Sequence, residues 1–289
     1  MPAITLRRPT MKDVPEIARI IFVAFKTFHE RHGFGLDIPS VEVATHFAGM
    51  LASHPKFYGV VAESEGRIVG SNFLDERDAI RGVGPITVDP GSQARGVGKK
   101  LMQAVIDRGL GAKGIRLLQD AFNATSMSLY TSLGFDAKEP VALMKGSCKT
   151  PPAAGSEVRR MTELDLPACG ELCRKIHRFD RNGELADAIK QFGPVVLERG
   201  GRVVAYSSAP NFWIANHGVA ASEQDMRDLF LGASKLTGQP LWLLMPIRSS
   251  SLFRWALSEG LRVMKPMTLM SMGEYYDPPS GCFFPAVAY

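Results

Sequence analysis

Apolar residues fall at helical spacing early in the chain. Ile17, Ile20, Ile21, Ala24 and Phe28 recur at three- and four-residue steps, which places them on one side of a helix over residues 13–31. A second short helix is read over 40–52. Further on, Val97, Leu101, Ala104 and Val105 mark the buried face of a helix over Val97–Leu110. Another spans Ala124–Leu133, closed by Gly134 just past its end with Phe135 behind it. Between the helices the pattern changes to β-like runs at 4–9, Phe57–Glu63, Arg67–Leu74, Val83–Val88, Ile115–Ala121 and 137–145, the second and third joined by Ser64-Glu65-Gly66. The order βααβββαβαβ predicts an α/β fold, a mixed central sheet flanked by helices on both faces.

The second half repeats this grammar. Residues 7–15 read Arg-Arg-Pro-Thr-Met-Lys-Asp-Val-Pro, and residues 159–167 read Arg-Arg-Met-Thr-Glu-Leu-Asp-Leu-Pro. Arg, Arg, Thr, Asp and Pro recur at one offset, each block after a short β-like segment and before a helix. Strands are expected at Glu157–Met161, Pro194–Glu198, Arg202–Ala209, Phe212–Val219 and Leu241–Met245. Helices are expected at Asp165–Arg178, Glu223–Leu236 and Ser249–Ser258, with a strand-rich tail. The segment 147–156 is rich in Pro, Gly, Ser and Ala and reads as a linker. The expected organisation is one domain over 1–146, the linker, and an imperfect second copy over 157–289.

Composition narrows the class. The chain has 289 residues, 45% apolar and 22% charged, as in an ordinary globular protein. No apolar stretch is long enough to span a bilayer and no leader pattern precedes the first strand, so a cytoplasmic protein with no membrane association is expected. The formal charge is +5. The first 150 residues hold 19 basic against 15 acidic side chains, the remainder 15 against 14. So mild an excess suits an anionic small molecule and gives no reason to invoke nucleic acid. Cys148, Cys169, Cys173 and Cys282 match no zinc spacing and read as plain thiols, so no metal is expected. Self-association as a homodimer stays open.

The segment Ile86-Thr87-Val88-Asp89-Pro90-Gly91-Ser92-Gln93-Ala94-Arg95-Gly96-Val97-Gly98-Lys99-Lys100 carries the chemistry. A strand ends at Asp-Pro, a polar glycine loop follows, and an amphipathic helix starts at once. Glycines let ligand oxygens approach the backbone, and the free N–H groups of a first helical turn attract anions. Arg95, Lys99 and Lys100 would add balancing charge. A Walker loop fails, because Lys100 follows Gly98-Lys99 and Gln93 stands at the first glycine position. A dinucleotide fingerprint fails at Leu101. The pattern Val-x-Pro-x-x-Gln-x-x-Gly-x-Gly fits throughout, at Val88, Pro90, Gln93, Gly96 and Gly98. It resembles motif A of the GCN5-related N-acetyltransferase (GNAT) family. The resemblance implies acetyl-CoA as acetyl donor, its pyrophosphate bound by Ile86, Thr87, Val88, Gln93, Ala94, Arg95, Gly96, Val97, Gly98 and Lys99.

A second stretch, Asn123 through Tyr130 to Gly134-Phe135, resembles the family's Asn–Tyr–Gly-Phe signature. On a helix Leu129 and Leu133 would share the core face, while Ser126 and Tyr130 share another that looks into a cleft. The family likeness implies that Asn123 meets the pantetheine arm and that Tyr130 protonates the departing thiolate. An alkylamine is mostly protonated at neutral pH, so the site also needs a base. Some family members carry a glutamate where this chain has Leu118. Asp75, Glu76, His29, Glu30 and His32 are the remaining candidates.

The second copy has Ser249 opposite Asn123 and Ala256 opposite Tyr130. Its corresponding helix opens with Glu223 and Asp225 and has no glycine, so it repels a pyrophosphate. The expected protein is thus a tandem acetyltransferase with a degenerate second half, acting on a small-molecule amine or an exposed protein amine by direct attack in a ternary complex. The alternative is a non-catalytic acyl-CoA sensor or assembly module. The tail from Met264 reads as core edge; the sharper option is that Trp213, Tyr275, Tyr276, Phe283 and Phe284 wall a substrate pocket at the domain junction.

Overall fold

The computed structural model describes residues 3–93, 96–153, 155–278 and 281–287. Ala94 and Arg95, two of the expected ligand contacts, lie outside the described residues. By density of contacts the chain forms two compact units, Met1–Arg77 with Arg81–Ile115 and Asp78–Ile80 with Arg116–Tyr289.

The first unit opens with β1 (Ile4–Arg7), α1 (Val14–His32) and α2 (Val41–Ser53). The antiparallel hairpin β2 (Phe57–Ser64) and β3 (Arg67–Asp75) follows, turned at Glu65-Gly66 with both residues at positive φ. Next come most of β4 (Ile80–Val83), then β5 (Thr87–Val88) and α3 (Val97–Gly109). Alternation along β3 sends neighbouring side chains to opposite faces. Phe73 packs with Ile17, Ile21, Ala44 and Leu51 of the first two helices. Asn72 points the other way, its amide donating to the Leu101 carbonyl of α3 at 3.4 Å. Ile17, Ile20 and Ile21 are fully buried as expected, and so is His29, which the apolar pattern passes over.

The second unit holds most of β6 (Gly114–Asp120), then α4 (Ala124–Ser132), β7 (Asp136–Gly146), β8 (Glu157–Arg160), α5 (Leu166–His177) and α6 (Asn182–Gln191). It continues through β9 (Val195–Arg199), β10 (Arg202–Ser207), β11 (Gly218–Ala220), α7 (Glu223–Thr237), β12 (Leu241–Pro246), α8 (Ser250–Glu259), β13 (Arg262–Gly273) and β14 (Cys282–Phe284). The strand order β14-β11-β10-β9-β8 makes one antiparallel sheet. Val195, Leu197 and Ala205 face a core shared with α7 and α8, while Val196 and Tyr206 face α5.

The other strand group runs β6-β13-β7-β12. Here the last long strand of the second copy lies between the last two strands of the first, antiparallel to β7 from Arg262 opposite Lys145 to Ser271 opposite Asp136. Compact units therefore do not follow the repeat, because copy two completes the sheet of copy one. The linker follows suit: Cys148 N–H donates to Ser234 Oγ at 3.0 Å, and Thr150 N–H to Glu259 at 2.9 Å.

The repeat itself has a structural counterpart in each unit. Arg7 grips Asp13 at 2.8 Å and Glu63 at 2.6 Å, and Thr10 with Asp13 closes a capping box. Arg159 grips Asp165 at 2.7 Å and Glu198 at 3.1 Å, with Thr162 completing the same box. The recurring Arg, Thr and Asp are thus one device for starting a helix after a first strand.

Three expectations change. Val83–Val88 is two short strands, because the backbone leaves the ladder at Gly84-Pro85. Phe212–Val219 is mostly turns, with the strand confined to Gly218–Ala220. Residues 182–191, where no element was expected, form α6, whose buried face mixes Leu185 and Ala188 with the charged Glu184, which interrupts the apolar period.

Candidate active site

The glycine loop grows out of an irregular strand. β3 pairs with β5 at Gly70–Val88 and Ser71–Thr87, and with β4 at Leu74–Val83 and Asp75–Gly82. One extra residue sits between these registers on the β4–β5 side, so the chain bulges at 84–86. Gly84 takes φ +139° and its N–H donates to the Phe73 carbonyl at 2.9 Å. Thr87 is buried, its hydroxyl 3.3 Å from that of Ser71. A Cβ on Gly70 would stand 2.7 Å from the Thr87 carbonyl, so glycine there lets β5 lie close.

The turn after β5 is clamped. Asp89 N–H reaches the Val69 carbonyl at 2.9 Å, and its carboxylate accepts from Gly91 N–H at 3.0 Å. Arg19 of α1 donates to Asp89 at 2.7 Å and holds that carboxyl below its ordinary range. Gln93 follows, exposed and extended. Gly96 then caps α3 in the left-handed region, φ +76°, and a Cβ there would meet nothing within 4 Å.

Among the described residues no side chain caps α3, nor does one cap α1, α5, α6 or α8. By contrast Ser40, Asn123 and Ser222 each accept from the first turn of α2, α4 and α7. Lys100 N–H is the first to join the helical ladder, to the Gly96 carbonyl at 3.1 Å. The N–H groups of Val97, Gly98 and Lys99 thus stand at the helix mouth, where the dipole favours an anion. Lys99 is exposed. Lys100, expected to lend charge, instead donates to the Ile4 carbonyl at 3.2 Å and ties β1 to the helix. At the matching place in the second copy, Glu223 and Asp225 fill the first turn of α7 and Arg199 pairs with Asp225 at 3.3 Å.

Asn123 and Tyr130 belong to the other compact unit. Asn123 Oδ1 caps α4 by accepting from Ser126 N–H at 3.0 Å, which commits its oxygen and leaves the amide nitrogen as the end for a ligand. Ser126 Oγ donates to Gln119 at 2.7 Å. Tyr130 is the most buried residue of α4, 7% exposed, with its ring edge-on to Phe135 at 6.3 Å. Leu129 and Leu133 are only half-buried, the reverse of the expected division. Gly134 at φ +98° turns the chain back so that Phe135 N–H meets the Tyr130 carbonyl at 3.0 Å, and this fold-back covers the phenol ring. Burial, and then the charge of Asp120, push the Tyr130 phenol well above its ordinary value, so it keeps its proton at neutral pH.

The base candidates are spoken for. Arg77 holds Asp75 at 2.6 Å, and Arg108 holds Glu76 through two contacts at 2.9 Å. His32 Nδ1 lies 2.8 Å from the Phe28 carbonyl, and Glu30 is 3.9 Å from Lys26. Buried His29 lies 3.5 Å from Asp37. Leu118 packs among Ile80, Phe179, Leu244 and Trp213. Two residues on, and so on the same strand face, stands Asp120, buried and paired with Lys265 at 2.6 Å. The sequence reading missed both. Alternation from Leu118 was the available signal for Asp120; none existed for Lys265. Trp213 and, in the tail, Phe283 and Phe284 are buried core, while Tyr275 and Tyr276 are half-buried.

Residues 55–137 match the family described as acetyltransferase (GNAT) domain. A curated relative, UPF0157 protein YqkA of Bacillus subtilis, is 30% identical over 95 residues. That match spans 33% of this chain and 27% of the relative's length. Among solved structures, a Pyrococcus horikoshii protein assigned as an acetyltransferase superposes with a TM-score of 0.76 over 99% of this chain and 94% of its own, at 16% identity. A GCN5-related N-acetyltransferase from Sphaerobacter thermophilus gives 0.61 over 94% and 98%, also at 16% identity. At such identities the likeness is one of fold, and it extends over both copies. Among the described residues no helix is long and apolar enough to cross a membrane.

Proposed function

We propose that this chain, whose residues 55–137 match the acetyltransferase (GNAT) domain model, moves an acetyl group from acetyl-CoA to a primary amine by direct attack in a ternary complex. The amine belongs to a small molecule or is exposed on a protein. The observation that carries the reading is the mouth of α3: an uncapped helix behind a left-handed glycine whose missing Cβ leaves open space, in the segment that matches the family.

The residues present fit the cofactor. The N–H groups of Val97, Gly98 and Lys99 would hold pyrophosphate oxygens, with Gln93 and the main chain of Ile86–Val88 beside them. Ala94 and Arg95 complete the expected set, and the Asn123 amide would meet the pantetheine arm. Acetyl-CoA supplies an activated acyl thioester. As the amine nitrogen bonds to the acyl carbon, the carbon–sulfur bond breaks. The nitrogen sheds a proton toward a base or water, and the sulfur takes one. Tyr130 keeps its proton at neutral pH, so its O–H can hydrogen-bond the departing sulfur and it is unsuited to act as the base. The acid-filled start of α7 argues that the second copy does not bind CoA in the same way.

Isothermal titration with CoA tests the cofactor assignment. Saturable binding is expected, with at least a tenfold loss in Gly96→Glu, which sets a carboxylate at the anion mouth. Absence of binding, or equal binding by the variant, overturns it. A sensor without catalysis is the second reading. It is favoured by Leu118, whose apolar packing leaves no acid at that strand position.

A further inference from the structure

The turn between β6 and α4 is held from two sides by consecutive residues of β13. Pro266 offers its carbonyl to Ala121 N–H at 3.2 Å, and Lys265 offers its ammonium to Asp120 at 2.6 Å. Asp120 in turn accepts Asn123 N–H on its carbonyl at 2.9 Å, which sets the N-cap of α4 and the start of the helix that carries Tyr130. Lys265 is 3% exposed and Asp120 8%, and the Lys265 ammonium lies 5.2 Å from the Trp213 ring centre. The register of β13 against β7 slips between Val263 and Lys265, which shifts the pleat where this lysine stands.

A buried lysine is an expensive way to fill a strand, since an apolar residue of similar volume generally serves stability as well or better. Such a pair earns its place through geometry. The strand belongs to the second copy, and the turn it grips belongs to the first.

We propose that Lys265 is a positioning residue of the acetyl-transfer site, fixing through Asp120 the turn that sets Asn123 and Tyr130 in place. The inference rests on the function proposed above. It assigns the degenerate copy a task without a second CoA site: its last strand supplies the cation that orders the first copy's chemistry-bearing helix. Asp120 lies close enough for its charge to act on the Tyr130 phenol, so displacement of the carboxylate is felt at the proton donor.

The test compares wild type with Lys265→Met, Lys265→Arg and the double variant Asp120→Asn/Lys265→Met. Each is read by kcat, by KM for the amine and by the dissociation constant of CoA. The ¹³Cζ signal of Tyr130 in the unliganded protein, assigned with Tyr130→Phe, is the fourth readout. Lys265→Met is expected to lower kcat at least tenfold, leave CoA affinity within about threefold, and move the Tyr130 signal; Lys265→Arg recovers most of both. The double variant leaves no buried lone charge and is expected to fold where the single variant does not, which the circular dichroism melt of each checks. It is expected to keep the kcat defect. Wild-type kcat and an unmoved Tyr130 signal in Lys265→Met, or full kcat in the double variant, overturn the proposal. A wild type that turns over no amine at all overturns the parent function instead, and the Tyr130 signal still reports on the positioning.

Discussion

At the residue scale, Tyr130 shows how far motif and packing can diverge. Its place in the Asn–Tyr–Gly-Phe stretch was legible, but its burial was not. Helical periodicity gave Leu129 and Leu133 the core, and only the fold-back of Phe135 onto the Tyr130 carbonyl reverses the two faces. A buried phenol with a raised pKa stays a donor through the neutral range and beyond its ordinary value near ~10. Tyr130→Phe is therefore expected to lower kcat by about 10²-fold, the lower end of general-acid effects. The wild-type rate should show no fall attributable to this group between about pH 8 and 10. Equal rates in the variant across that range would rule out its role as donor.

The duplicated Arg–Asp device allows a second residue-scale prediction. Arg159 holds the Asp165 carboxyl down to about 2. The unfolded value is higher, near ~3.9, so the stabilisation is present above about pH 4 and is lost as pH falls toward the folded value. Arg159 is partly exposed, which discounts the ion pair, and loss of the Asp165 contacts is expected to cost about 1 kcal/mol at neutral pH. Urea unfolding of Asp165→Ala at pH 7, 4 and 3 checks this. The deficit should shrink with acidity; a constant deficit would mean the carboxylate's charge is irrelevant.

At the element scale, the segment from β5 to α3 was the most legible part of the chain. Its shape is set by neighbours in sequence: Asp89 turning on Gly91, Gly96 at positive φ, Val97 and Leu101 facing inward. The break between β4 and β5 was not legible, because a run of β-formers reads as one strand until pairing registers are known. α6 was missed for the opposite reason, since its buried face contains Glu184. The closeness of β3 to β5 depends on Gly70, where a methyl would meet the Thr87 carbonyl and Leu101. Gly70→Ala is expected to cost about 1–3 kcal/mol, as overpacking does, and to weaken CoA binding by displacing β5. A urea midpoint and CoA affinity equal to wild type would show that this contact is not limiting.

At the scale of the whole molecule, the repeat was readable from five recurring residues, and its partition into self-sufficient domains was not. Strand insertion is non-local: nothing within 262–273 announces that its partner is 136–146. The consequence is testable. A chain ended at Gly146 lacks β13, which lies between β6 and β7, and so exposes strand edges that the full chain pairs. It is expected to aggregate or to melt without cooperativity in circular dichroism. A soluble, cooperatively folded fragment with wild-type CoA affinity would contradict the integral role of the second copy. In copy two, acids fill the first turn of the corresponding helix, α7, and the strand β13 pairs along β7 of copy one.

The central claim is transfer, not CoA binding alone, and one measurement addresses it directly: release of free CoA thiol from acetyl-CoA, followed against a panel of small primary amines and amine-bearing peptides, with product mass recorded. Amine-dependent release with the acceptor gaining an acetyl group is the predicted result. Tight CoA binding with no acceleration by any amine, under conditions where the protein is folded, would contradict it and leave the sensor reading in its place.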